Sequence, residues 1–440
     1  MLKKVFTLIF LIGGALTVQA QNIQLSAEYR PRFEYRDGAW KMRPANDVAD
    51  NPAALISQRA RLNFNFTDKS SKLKLGASLQ DVRTWGSAAQ LNVNNPNSFD
   101  IHQFWGEILF TERFSLKVGR QELAYDNQRI IGAVDWTQQG RAFDAAVLKY
   151  EDNTKNFKVH AGLGLNTKAD TSAIKQSYTG INNYKTMQYL WAGKKFSDKL
   201  NASFLFLNNG MEYTRSGGSE LVADDRRVAY SQTTGSRIEF RPAKFGVNLE
   251  GYYQSGKNSK NISLSAWQLN PEAFIKLNND WSMVGGAEWL SGTDQDNTDG
   301  KDHSFSPLYG TNHKFNGYMD YFYVGNRLLT GKTAVGLADY YLGARYAKNK
   351  FNTELTFHQF NAMATVLDPS LQKMESNLGI EGDLALGYKL TEAIAFQGGL
   401  SFYSGTSTLQ QLQAGSDHTK LNSWGWLQIN IKPTLFNYSK

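Results

Sequence analysis

Apolar and polar residues alternate with a period of two along most of the chain, and no stretch carries helical periodicity. In residues 23–35, Ile23, Leu25, Ala27, Tyr29, Phe33 and Tyr35 form one face, and Glu28, Arg30, Arg32 and Glu34 the other. Residues 57–68 set Ala60, Leu62, Phe64 and Phe66 opposite Arg59, Arg61, Asn63 and Asn65. Residues 72–80 set Leu73, Leu75, Ala77 and Leu79 against Lys72, Lys74, Gly76, Ser78 and Gln80. Residues 157–165 repeat the pattern with Phe157, Val159, Ala161, Leu163 and Leu165 on the apolar side. Each segment reads as a β-strand with two chemically distinct faces.

The connections fall into two classes. Short polar turns are expected near 68–71, 111–113, 152–156, 197–199, 242–244, 278–280, 347–350 and 391–392. Longer segments rich in Gly, Asn, Asp and Ser separate them near 37–56, 84–101, 122–140, 168–184, 211–228, 257–261, 292–334, 362–375 and 405–420. Short turns at one end and long loops at the other describe a transmembrane antiparallel β-barrel of the bacterial outer membrane, with the short turns periplasmic. Nine long loops imply nine up–down pairs, hence an all-β fold of 18 strands, an even number as a closed single-chain barrel requires. A soluble sandwich shows no separate class of long loops. A propeller carries a repeat of about 40–50 residues, and none is visible here.

Composition sharpens this picture. A negative mean hydropathy of −0.46 coexists with 13% aromatic residues, as expected when apolar and aromatic side chains face lipid while polar ones face an aqueous interior. Residues 1–20 place Lys3 and Lys4 before a short apolar run that ends in Val18-Gln19-Ala20. That pattern predicts a cleaved signal peptide, leaving residues 21–440 as a single domain that starts at Gln21. No other segment approaches the roughly 18 consecutive apolar residues of a membrane-crossing helix. Cysteine is absent, which removes thiolate metal sites and cysteine nucleophiles. Loss of Lys3 and Lys4 lowers the formal charge from +8 to +6. Over this length that is too weak a balance to imply nucleic-acid binding.

Several motifs carry a more specific signal. They are Asp81-Val82-Arg83-Thr84-Trp85-Gly86, Gly119-Arg120-Gln121-Glu122-Leu123, Gln128-Arg129-Ile130-Ile131-Gly132, Asp135-Trp136 and Gly140-Arg141-Ala142-Phe143-Asp144. With the later block Tyr309-Gly310-Thr311-Asn312-His313-Lys314-Phe315-Asn316-Gly317-Tyr318-Met319-Asp320, they make the chain resemble the alginate export family of outer-membrane β-barrels, in its Bacteroidetes form. The resemblance covers nearly all of the mature chain. It implies an arginine-lined lumen through which an anionic polysaccharide leaves the cell. Arg83, Arg120, Arg129 and Arg141 are its implied lumen arginines, and Glu122, Asp126, Asp135 and Asp144 their acidic partners.

The alternation adds a reading of its own. It turns Arg30, Arg32, Arg59, Arg61, Lys72 and Lys74 inward on three consecutive strands, which would make one wall of the lumen strongly cationic. Guanidinium groups remain charged and bind carboxylates bidentately, as passage of a uronate chain requires. The same arginines also suit a structural ion-pair ladder. The 122–140 loop, with Ile130, Ile131, Val134 and Trp136, is expected to fold into the lumen or across its mouth. Segment 292–334 is expected to cap the extracellular side. None of the six histidines lies in a Gly-x-Ser-x-Gly context or at metal-binding i, i+4 spacing. The acidic run Asp294–Asp302 departs from a calcium-loop pattern and reads as solvated. Neither an enzyme nor a cofactor or metal protein is expected. The sequence reads as a monomeric, passive channel for an anionic polysaccharide or oligosaccharide, in contact with outer-membrane lipid and served by a periplasmic export partner. A general or oligosaccharide-uptake porin and a closed surface-binding barrel are the alternatives.

Overall fold

The chain was studied as a computed structural model, which describes residues 20–88, 99–167, 184–214, 226–322 and 334–439. The first ten strands are β1 (Ala20–Asp37), β2 (Ala53–Asp68), β3 (Leu73–Thr84), β4 (Phe99–Leu109), β5 (Phe114–Gln121), β6 (Phe143–Asp152), β7 (Phe157–Leu165), β8 (Tyr184–Ser197), β9 (Leu200–Thr214) and β10 (Arg226–Phe240). They continue as β11 (Phe245–Lys257), β12 (Ser263–Lys276), β13 (Trp281–Leu290), a two-residue β14 (Lys301–Asp302), β15 (Leu337–Lys348), β16 (Phe351–Asn361), β17 (Asn377–Lys389), β18 (Ile394–Gly405), β19 (Asn422–Ile431) and β20 (Thr434–Ser439). β14 is a loop pairing on β12, and β20 prolongs β19 along β1 after a bulge.

Eighteen strands therefore form the wall. Each pairs antiparallel with its neighbours, and β1 closes the ring by pairing with both β2 and β19. Closure leaves no edge strand to template aggregation. Short turns join the strands at one end. Asp68 is typical of these turns, accepting the Leu73 N–H at 2.8 Å. The eight expected turns lie where the sequence places them, and the strands end on either side of the nine expected long connections. The predicted leader, residues 1–19, falls outside the described residues, as do most of the 84–101, 168–184 and 211–228 loops and residues 323–333 of the 292–334 segment.

The two faces follow the alternation. Phe33, Leu62, Phe64, Leu75, Phe104, Val118 and Leu148 are exposed on the outer surface, while Glu28, Arg30, Arg32, Arg59 and Arg61 are buried within the barrel. Towards the long-loop end the rule changes. There Val147, Met187, Leu205 and Leu207 point inward and are fully buried. An inward apolar side chain needs an apolar partner inside the barrel, and two long loops supply it.

Candidate functional site

Residues 122–142, between β5 and β6, turn into the lumen as expected. Residues 303–322, between β13 and β15, do the same, which corrects the expectation that this segment caps the extracellular side. The two segments pair with each other. Ile131 bridges Tyr309 in parallel, with the Tyr309 N–H on Ile130 O at 3.0 Å, the Gly132 N–H on Tyr309 O at 2.8 Å and the Thr311 N–H on Gln128 O at 2.9 Å. Ile130, Ile131, Phe305, Met319 and Tyr321 are buried and complete the apolar core begun by Val147, Met187, Leu205 and Leu207. The barrel encloses a folded plug.

Irregular backbone inside a membrane barrel must have its polar groups satisfied by protein or by lumen water. The inward arginines of β1 and β2 do this. Arg30 donates to Asp135 O at 2.8 Å, Thr137 O at 2.7 Å and Gln138 Oε1 at 3.1 Å. Arg32 donates to Trp136 O at 2.9 Å and its guanidinium lies 4.1 Å from the Trp136 ring centre. Arg59 joins Glu28 at 2.6 Å and Asp135 at 2.8 Å. Arg61 donates to Gln139 O at 3.1 Å and Gln80 Oε1 at 2.9 Å. A guanidinium has five donors in a fixed fork, so four such residues can hold one strand-less loop. Gly140 shows how close the fit is: its φ is +64° and a Cβ there would meet Arg61 NH2 at 2.7 Å.

Burial pushes the Asp135 carboxyl up, but the Arg59 and Arg30 guanidiniums outweigh it and hold it below the usual carboxylate range. Trp136 is contacted by the Arg32 guanidinium and by the His313 ring, stacked at 4.2 Å and 11°. The expected cationic wall exists as placement. Its charges, however, are spent on the plug and on Glu28 and Glu34. Lys74 is half-buried, and Lys72 lies exposed in the turn before β3 rather than on it.

The arginines and carboxylates implied by family resemblance separate into three groups. Arg129 is fully buried and bidentate to Glu288, Nε–Oε1 2.7 Å and NH2–Oε2 2.8 Å, with Asn316 Oδ1 at 3.0 Å. It fastens the plug and lines no path. Arg141 is half-buried and reaches Gly310 O at 3.3 Å. Glu122 meets His102 at 2.7 Å and Arg61 at 3.6 Å, whereas Asp126 accepts from Trp191 Nε1 at 3.1 Å and shares its cavities with Arg237 rather than with any of the implied arginines. Burial pushes the Asp126 carboxyl up, against the Ser203 and Trp191 hydrogen bonds.

Arg120 and Asp144 pair at 3.0 Å, but on the outer face, since Arg120 stands opposite lipid-side Phe104 and shares parity with exposed Val118. Arg83 also turns outward. It lies opposite Gln58, which receives the outward Tyr29 hydroxyl, and its own partner is Asp81 at 3.4 Å. Arg120 does not line the lumen, whereas Arg83 borders the rim of the cavity at the long-loop end.

The second plug segment rests on carboxylates that sequence reasoning missed. Glu381 accepts the Met319 N–H at 2.8 Å, and Asp383 the Tyr318 N–H at 3.2 Å. Asp339 takes Asn316 Nδ2 at 3.2 Å and His358 Nδ1 at 2.9 Å. Gly317, with φ +81°, lies against Glu381, whose carboxylate a Cβ would meet at 2.6 Å. The signal was available: alternation along Asn377–Lys389 places Glu381 and Asp383 on one inward face. The acidic run 294–302 is occupied internally, with Asp294 accepting the Thr365 N–H at 2.6 Å and Asp299 paired to His303 at 2.8 Å. Among the described residues no cluster of three or more His, Asp or Glu side chains is arranged to hold a metal.

Space remains on three sides of the plug. At the long-loop end a cavity of about 710 Å³ lies between Arg32, Glu34, Trp40, Trp136, Asp320 and Trp424. Towards the short-turn end, cavities of about 530 Å³ and 410 Å³ share Asp126, Arg237 and Glu239. In two of the ion pairs lining the larger of these the base is the more exposed partner, whereas Arg237 is only 8% exposed against 25% for Glu239. Arg345 is 48% exposed against 28% for Glu354, and Arg241 is 48% against 25% for Glu239. Lys158, Lys195 and Lys314 are also exposed there.

A family model described as alginate export matches residues 21–406. No curated protein matches the chain. Among solved structures, the barrel is similar to OccAB4 of Acinetobacter baumannii, with a TM-score of 0.59 and 12% identity over 96% of this chain and 100% of that one. It is similar to OccK3 (OpdO) of Pseudomonas aeruginosa, with a TM-score of 0.60 and 11% identity over 97% and 100%. OpdK of Pseudomonas aeruginosa, solved with vanillate, gives a TM-score of 0.58 and 10% identity over 94% and 99%. At these identities the likeness is one of fold.

Proposed function

The chain belongs to the alginate export family and is an outer-membrane channel barrel of a bacterium, and from that premise we propose that it passes an anionic saccharide around its plug. The observation that supports this reading is the unequal exposure of two ion pairs that line the cavity at the short-turn end. Arg241 and Arg345 present their guanidiniums to the water while Glu239 and Glu354 sit behind them. The short-turn end of such a barrel is periplasmic, so two guanidiniums face the lumen water on that side. Bases held by carboxylates line a path at fixed positions, yet bind weakly enough for a polymer to move on.

Passage is passive, the protein is a monomer and no catalytic step is involved. A periplasmic partner supplies the polymer and the direction. Single-channel recording of the purified barrel under a salt gradient tests the reading. Anion-selective current that added polyuronate interrupts supports it. Unselective current indifferent to polyuronate makes the protein a general porin, and absence of current makes it a closed barrel.

A further inference from the structure

The cavity at the long-loop end has features the plug does not need. Trp40, just beyond β1, has φ +65°, and Asp320, at the tip of the second plug segment, has φ +59°. Left-handed backbone is rare for bulky residues and concentrates at ligand clamps. The two residues hold each other. The Trp40 N–H donates to Met319 O at 2.7 Å and its indole Nε1 to Asp320 Oδ2 at 3.3 Å. Arg36 stacks 4.0 Å from the Trp40 ring centre, fixed in turn by Glu34 at 2.7 Å. In spite of these contacts the indole is 54% exposed.

Asp320 is only 8% exposed. Its Oδ2 also takes His313 Nδ1 at 2.8 Å, whereas its Oδ1 is buried and has no hydrogen-bond partner among the described residues. A buried carboxylate oxygen without a donor costs desolvation energy, and here it belongs to a residue that lines the cavity. A rigid aromatic plate, a donor-hungry carboxylate and a guanidinium thus meet in one concave space.

We propose that this cavity is a binding station for a pyranose unit of a saccharide. The sugar's flat C–H face lies on Trp40, a ring hydroxyl donates to the Asp320 carboxylate where it borders the cavity, and Arg36 offers donors to ring oxygens or to a uronate carboxylate. Cationic ligands are disfavoured by Arg32 and Arg36, and purely apolar ones would leave the Asp320 carboxylate and the Arg36 guanidinium without a polar partner from the ligand. The inference rests on the reading of the channel as a saccharide conduit, and extends it by giving the conduit a recognition site at its outer mouth.

The test uses the complete barrel in planar bilayers, with a hexa-uronate and a neutral oligoglucan of equal length as probes. Both are expected to interrupt the current, the uronate for longer. Trp40→Ala should weaken the apparent affinity about tenfold. Asp320→Asn, which keeps shape and loses the charge, should weaken it severalfold, and the equally exposed outer-rim Trp85→Phe should not change it. Interruptions in the wild type that persist unaltered in Trp40→Ala and Asp320→Asn would overturn the station and leave the conduit standing. Current that neither sugar interrupts in the wild type would remove the conduit reading and the station with it.

Discussion

Arg129 and Glu288 meet as a buried bidentate pair that joins the first plug segment to β13, 159 residues away in sequence. Both side chains are at most 3% exposed. Asn316 bridges them, donating to Glu288 Oε2 at 2.8 Å while accepting from Arg129. Removing one member of such a pair strands a charge in a dry setting and costs about 3–5 kcal/mol. Arg129→Ala should therefore loosen both plug segments and leave the wall intact, because strand pairing does not involve it. The expected result is a larger, noisier single-channel current with unchanged β-content by circular dichroism. Wild-type current in this variant would show that the plug has other sufficient anchors.

Acid should act on the other end of the plug. The Asp135 carboxyl is held below its ordinary 3.8 by Arg59 and Arg30, against the upward push of burial. A depressed folded-state value means that the stabilisation is present above 3.8 and is lost as pH falls through the lower value. Channel noise from the 135–139 segment should thus rise only in strong acid. Asp135→Asn should show that noise already at neutral pH and lose the pH response. A response retained in Asp135→Asn would assign it to another group.

The wall was legible because its signal is local. Period-two alternation and turn chemistry need only neighbouring residues, and a slip of one would turn Leu62, Phe64 and Phe66 into the lumen. The same parity could have corrected Arg120. Phe114, Leu116 and Val118 share its face, so the motif around Gly119 straddles the wall instead of facing inward. The plug was only half legible. The apolar content of 122–140 announced burial, but its partner segment lies some 180 residues on, and no local pattern links Ile130 to Tyr309. Met187 and Leu205 break the polar-inside rule for a reason that exists only once the plug is in place.

Selectivity should track exposure rather than motif membership. Arg345→Ala and Arg241→Ala each remove a half-exposed base at the short-turn end. Each should lower the anion-to-cation permeability ratio about twofold, the size of a unit-charge interaction across roughly 8 Å of water. Arg120→Ala removes a charge from the outer face and should leave the reversal potential where it is. A shift with Arg120→Ala equal to that with Arg345→Ala would contradict the assignment of faces.

A second pH response is expected at the long-loop end, in the opposite sense. His303 meets Asp299 through Nε2 at 2.8 Å and Ser265 O through Nδ1 at 3.0 Å. Both partners are acceptors, so both ring nitrogens must carry protons and the imidazole is cationic in this arrangement. The Asp299 hydrogen bond raises the His303 pKa above its ordinary 6.5, and partial burial only partly offsets it. A raised folded-state value means that the contribution is complete below 6.5 and disappears as pH climbs through the raised value. Residues 293–303 should accordingly exchange amide protons faster in mild alkali, beyond the intrinsic base-catalysed increase. His303→Gln retains one donor and cannot titrate, so its corrected exchange should be flat across that range. If wild type and His303→Gln exchange alike at every pH, the loop is held by its other contacts, those of Thr293, Asp294 and Asp302 among them.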